Sequence, residues 1–161
     1  MAKIEKGVRV TASVLDRLLD FEPEASHEAP KSHSNSLREL KQAARRDLEW
    51  LLNTRCYLDE VDENLEEVRK SVIFFGLPDF TGISAKSHSE QKRLSTALET
   101  AIKTFEPRFL NLKVFLEPLS DIDRQMKFRI EASLDTDPTP EPIAFDTVLQ
   151  LGSGEFEIRE K

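Results

Sequence analysis

Phe105-Glu106-Pro107-Arg108 stands where the hydrophobic pattern of the chain changes period. Before it, Leu94, Ala97, Leu98, Ala101, Ile102 and Phe105 recur at helical spacing and form a wide apolar stripe. After it, Leu112, Val114 and Leu116 alternate with Lys113, Phe115 and Glu117, the period of a half-buried strand. Proline disfavours helical geometry at the residue before it, so Glu106 is pushed towards an extended conformation. Residues two apart in an extended chain face the same side. Glu106 and Arg108 are therefore expected to point together, with Pro107 stiffening the backbone between them. Read from the residues alone, this rigid acid–base pair at a helix-to-strand corner is either an internal clamp or a plug for a partner.

Downstream the strand period persists. Met126, Phe128, Ile130, Ala132 and Leu134 alternate with polar or small neighbours, and residues 135–140, DTDPTP, read as a loop. Ile143, Phe145, Thr147, Leu149 and Leu151 resume on period two. Gly152-Ser153-Gly154 makes a turn, and Phe156 and Ile158 alternate in a last short strand. That strand is a candidate sheet edge, and its charges discourage indiscriminate pairing while leaving strand addition open to a specific partner.

Upstream the signals are helical. Ser36-Leu37-Arg38-Glu39 and Ser87-His88-Ser89-Glu90 are both capping boxes. Leu37, Leu40, Ala44, Leu48 and Leu51 fall on one face, which Trp50 and Leu52 widen. Leu65, Val68, Val72 and Phe75 predict a further helix, with Gly76 at its stop and Pro78 beyond. Ser13 and Asp16 open a short helical pattern of Val14, Leu15, Leu18 and Leu19. A helix this short is marginal alone in water and calls for a surface, its own or a partner's. The expected fold class is α+β, with N-terminal helices packed on a small antiparallel β-sheet of three to four strands. Residues 1–21 form an N-terminal segment with the short docking helix, 22–35 a flexible linker without Leu, Ile, Val or Phe, and 36–161 a single domain.

Composition narrows the function. The chain has 161 residues, 39% hydrophobic and 33% charged, with a formal charge of −7. That balance argues against sequence-independent nucleic-acid binding, which needs a concentrated positive surface. Lys41, Arg45 and Arg46 read as a solvated helix face. The longest strongly apolar run, Val72-Ile73-Phe74-Phe75, is too short to span a bilayer, and the N-terminus lacks the apolar core of a secretory signal. A cytoplasmic location is the default. Cys56 is the only cysteine and reads as a small buried apolar residue. His27, His33 and His88 lack metal-ligand spacing, so neither metal nor cofactor is expected.

Four stretches carry a resemblance. They are Val14-Leu15-Asp16-Arg17-Leu18, residues 47–55 (DLEWLLNTR), residues 71–80 (SVIFFGLPDF) and Phe105-Glu106-Pro107-Arg108-Phe109. Their order and content resemble TssE, the family of small baseplate subunits of bacterial type VI secretion systems, itself similar to the wedge protein of contractile phage baseplates. The family's Glu-Pro-Arg motif maps onto Glu106, Pro107 and Arg108, and its Asn-Thr-Arg motif onto Asn53, Thr54 and Arg55. Phe75 stands before Gly76 where the family commonly has tyrosine, and the linker is longer than usual. The resemblance implies a structural role at a baseplate docked beneath the inner membrane. It implies the wedge subunits TssF and TssG as partners, beside the first sheath ring of TssB and TssC. On this reading Glu106, Pro107, Arg108, Leu15, Arg17 and Leu18 are the candidate partner-binding residues.

Two other functions compete. The wedge family once carried a lysozyme-like label, so a muramidase-like glycoside hydrolase is one alternative. Such an enzyme needs two carboxylates in defined roles. An arginine beside Glu106 favours its charged form, the wrong one for a general acid. No spacing assigns a second carboxylate; Asp121, Asp123, Asp135 and Asp137 are candidates only as loop residues. One Trp and one Tyr give little material for a sugar cleft. The chain is therefore expected not to be an enzyme. A generic cytosolic adaptor is the remaining alternative.

Overall fold

A computed structural model describes residues 13–19, 33–57, 62, 64–80, 83–84, 87–117, 125–137 and 139–160. Residues 20–32, which include linker residues 22–32 and His27, lie outside them, as do Asp121 and Asp123.

The two long amphipathic patterns form the two long helices, α2 (His33–Asn53) and α4 (His88–Phe105). Short helices α1 (Val14–Leu18) and α3 (Glu66–Arg69) precede and separate them. The period-two stretches form β1 (Phe109–Leu116), β2 (Gln125–Leu134), β3 (Glu141–Gln150) and β4 (Phe156–Glu160). The strands pair antiparallel in chain order, β1-β2-β3-β4. One face of this sheet is covered by the helices, with α4 against β1 and α2 against β4.

The core follows from register. Met126, Phe128, Ile130 and Ala132 of β2 stand opposite Leu149, Thr147, Phe145 and Ile143 of β3, and all are buried. Leu48, Leu51 and Leu52 of α2 meet Leu94, Leu98 and Ile102 of α4 in the same cluster. In β1 the buried positions are Phe109, Leu112 and Val114, so the period is broken once. Asn111 and Leu112 together oppose Ala132, and Asn111 takes φ 54°. This β-bulge moves Leu112 onto the face that Phe109 already occupies.

Several expectations change at helix ends. Helix α2 starts at His33, so residues 33–35 of the expected linker are helical and Ser36 lies inside the helix, not at its cap. Ser87 precedes α4 without a side-chain cap hydrogen bond. Glu90 instead reaches back to accept the Ser84 N–H at 2.6 Å. Trp50 does not widen the buried face of α2; it is 55% exposed, whereas Leu52 is fully buried. Cys56 is half-buried.

The helix expected over residues 65–75 is also absent. Only α3 forms, followed by a single 3₁₀ turn at Val72–Phe74. Ser71 Oγ donates to the Val68 carbonyl at 2.6 Å, and Ser71 itself is extended. Such local side-chain bonding competes with helix propagation, and the β-branched pair Val72-Ile73 follows immediately. Val72 is 84% exposed, so no apolar stripe holds a helix down here.

Gly76 does more than stop a helix. The segment around it runs beside residues 54–57: Leu77 N donates to Thr54 O at 2.9 Å, and Cys56 N to Leu77 O at 3.0 Å. Gly76 has φ +114°, and a Cβ there would stand 2.4 Å from the Thr54 carbonyl oxygen. Both the backbone conformation and the space exclude a side chain. Gly76→Ala is expected to destabilise the fold by about 2–4 kcal/mol, combining backbone strain with overpacking. Chemical denaturation checks this; a loss below about 1 kcal/mol would contradict the close crossing.

Candidate partner-binding corner

Pro107 does what proline chemistry dictates. Glu106 leaves helical geometry at φ −124°, ψ 72°, while its N–H still donates to Ile102 O at 2.8 Å. Its carbonyl accepts from Phe109 N at 3.1 Å, which starts β1. The Arg108 carbonyl accepts from Asp135 N at 2.9 Å, tying the corner to the end of β2. Helix end, corner and sheet are thus joined within three residues.

The side chains meet as expected for residues two apart. Arg108 Nε donates to Glu106 Oε1 at 2.6 Å, and Nη2 donates to Glu106 Oε2. The pair is bidentate, and Glu106 is only 5% exposed. Arg108 Nη2 also donates to Asp47 Oδ2 on α2 at 2.7 Å. Asp47 Oδ1 accepts from Arg46 Nε at 3.0 Å and from Nη2 at 2.7 Å. Arg46 Nη1 then donates to Asp16 Oδ1 on α1 at 2.7 Å. Ser13 Oγ closes the row by donating to Asp16 Oδ2 at 2.6 Å. Glu106, Arg108, Asp47, Arg46 and Asp16 therefore alternate in sign from the α4–β1 corner across α2 to α1.

The electrostatics agree with the geometry. Its hydrogen bonds to Glu106 raise the Arg108 guanidinium above its ordinary range against the effect of burial, with the Glu106 charge and Asp47 adding to them. The Asp16 hydrogen bond raises Arg46 in the same way, again against burial and with help from Asp47. For Asp16, burial pulls upward, but the Ser13 hydroxyl, the Arg46 hydrogen bond and charge, and the more distant Arg108 charge outweigh it. Its carboxyl falls below the ordinary 3.8. Arg108 Nη1 is buried without a hydrogen-bond partner among the described residues.

The candidate residues divide accordingly. Glu106 and Arg108 point inward as a pair, and Pro107 is exposed. On α1, Leu18 is 77% and Val14 72% exposed, with Leu15 and Leu19 also open. The helix touches the domain through Asp16 while its apolar residues face out. The Arg17 side chain lies outside the described residues. Arg46, read from sequence as a solvated residue, sits in the network and stacks 5.3 Å from the Trp50 ring centroid. Asp47 and Asp16 were not expected there either; their only sequence signals were a place in a resembling stretch and a half capping box.

The Asn53-Thr54-Arg55 motif is a second suture. Asn53 Nδ2 donates to Phe156 O at 2.9 Å, and Phe156 N donates to Asn53 Oδ1 at 2.8 Å. Arg55 Nη2 donates to Gly154 O at 2.6 Å. The end of α2 is thereby fixed to the start of β4 and to the turn before it. Among the described residues, no His, Cys, Asp or Glu cluster could hold a metal. No helix there is long and apolar enough to cross a membrane.

Two variants separate the parts of the row. Arg108→Ala leaves the Glu106 carboxylate buried without its cation and is expected to cost about 3–5 kcal/mol in denaturation experiments. Asp16→Asn breaks a half-exposed contact and is expected to cost less than about 1 kcal/mol globally, while speeding amide exchange at residues 14–19. A depressed carboxylate stabilises above its unfolded pKa, and that contribution is lost as pH falls through the folded value. Helix α1 should therefore stay docked down to the ordinary 3.8 and detach only below it. Trp50, the sole tryptophan, reports this through its Arg46 contact by fluorescence. Detachment above pH 5 would contradict the Asp16–Arg46 anchor.

Curated proteins give no match to the chain. A family model described as baseplate wedge protein gp25 matches residues 38–139, well over half of the sequence. The matched span takes in most of α2, all of α4, β1 and β2, and both sutures' motif residues at 53–55 and 106–108. The chain belongs to the baseplate wedge protein gp25 family, the family of TssE.

Proposed function

We propose that this chain is a structural component of a bacterial type VI secretion baseplate, tying the wedge subunits TssF and TssG to the TssB–TssC sheath from the cytoplasmic side. The family supports the baseplate role. The observation that carries the finer reading is the inverted placement of α1: its acid is spent on Arg46, and its apolar residues Val14 and Leu18 face solvent. A short helix held by one ion pair, with its apolar face open, is suited to pack on another subunit.

Glu106 and Arg108 support that contact indirectly. Their bidentate pair fixes the corner, and Asp47 and Arg46 pass that rigidity to α1. In this reading the motif is a clamp that presents a docking helix, with Pro107 exposed beside it. Strand addition by a sheath segment is a second contact; with the Phe156 backbone already bonded to Asn53, it would use the β4 edge beyond that residue.

Hydrolysis fits poorly. The Glu106 and Asp47 carboxylates at the corner are engaged by Arg108, and neither lines the groove beside Asn53 and Phe156 or the one along α4.

Val14→Asp combined with Leu18→Asp is expected to leave the thermal melt unchanged, since both positions are largely exposed. The same variant should lower co-purification with the wedge subunits by on the order of tenfold, the effect of losing a buried apolar anchor. Undiminished co-purification would remove α1 from the interface. Purified protein should not clear peptidoglycan, and turnover abolished by Glu106→Gln would overturn the structural reading.

A further inference from the structure

A groove of about 1420 Å³ runs along the outer side of α4, walled on the other side by α3 and the 3₁₀ turn. Its charge is unlike that of the chain. Arg69, Lys70, Lys92, Arg93 and Lys103 line it against the single acid Glu66, in a protein of net charge −7. Lys70 and Lys103 have local partners, Glu67 at 3.2 Å and Glu99 at 3.2 Å, and Arg93 stacks on Phe80. No ion pair reaches Arg69 or Lys92 among the described residues. Between the charged walls the floor is apolar and shallow, formed by Phe74, Ala97, Ala101 and Phe105.

We infer that this groove receives a helical segment of a neighbouring subunit, with a narrow apolar or small-residue stripe and Asp or Glu along both margins. Three features select that occupant. The positive walls demand negative margins. The floor demands apolar contact, which a phosphate backbone cannot supply, so a polyanion is a poor fit. The backbone argument excludes a strand. The α4 wall offers no free row of backbone donors and acceptors, so an extended segment would bury its own groups unpaired, whereas a helix satisfies them internally. Ser89, Lys92, Thr96, Thr100 and Lys103 recur along α4 at helical spacing. The stripe is about 20 Å long, which fits roughly 14 helical residues. Small Ala97 and Ala101 let the incoming backbone approach closely.

The inference takes from the baseplate reading only that the occupant is another subunit, and its test needs no baseplate protein. The full-length chain is titrated against a fluorescent synthetic helix of about four turns, with an Ala/Leu stripe flanked by Glu. Controls are the same composition scrambled, a Lys-for-Glu version, and a short DNA duplex. The expected result is saturable anisotropy with the acidic amphipathic helix, weakened by salt. Arg69→Glu with Lys92→Glu should weaken it by on the order of tenfold, while Lys127→Glu on the sheet should not. If that double variant loses its melt, Thr96→Glu, exposed at the middle of α4, reads the same loss. Absence of binding, equal binding of the scrambled helix, preference for the duplex, or undiminished binding by a folded groove variant would each overturn the proposal. So would self-association of the chain through this groove, which would make a second copy the occupant.

Discussion

The bidentate pair between Arg108 and Glu106 is the constraint on which the rest of this molecule depends. It sits where the last helix ends and the sheet begins, so it fixes the turn by which the chain passes from one layer to the other. A carboxylate 5% exposed is stable there because two guanidinium nitrogens bond both of its oxygens. The same guanidinium reaches Asp47, and so fixes α2 against the corner. A single side chain thus ties the junction of α4 and β1 to α2, 61 residues away in sequence. Pro107 makes this possible by forcing Glu106 out of the helix and holding the two side chains on one side.

The sheet was legible because the strand sequences run on a period of two, and the buried positions of β2 and β3 are those the alternation marks. Helices α2 and α4 were legible for the matching reason, a broad apolar stripe at helical spacing. What failed was local. Residues 65–75 have apolar spacing, but Leu65 and Val72 stay exposed, and Ser71 diverts the backbone into a bend. The bulge at Asn111 could not be read, because alternation begins afresh at Leu112 and hides the extra residue. Trp50 looked like core because size and position suggested it; the cation of Arg46 holds it at the surface instead.

The site was half legible. Two residues of an extended chain must point together, so the pairing of Glu106 with Arg108 followed from Pro107. The continuation to Asp47, Arg46 and Asp16 depends on tertiary contacts 61 and 30 residues apart, which no local pattern encodes. Arg46 also looked like an ordinary helix-surface charge, and Asp16 like a local capping residue. That resemblance to a solvated face is physically reasonable, since the row is only partly buried. It becomes a network because each group has an opposite charge waiting on the neighbouring element.

Asn53 has a consequence for growth of the sheet. Its amide gives Phe156 one donor and one acceptor, as a residue on a fifth strand would. The backbone groups of Phe156 therefore face away from β3, and by alternation those of Ile158 and Glu160 do too. The helix layer thus supplies the first rung of a strand that does not exist, and only the last two rungs stay vacant. A copy of this chain approaching edge-on finds too short a ladder to propagate a fibre. Only a partner that brings contacts beyond the backbone can hold to so short a ladder, so the edge selects by side chain where a bare strand edge selects by backbone alone.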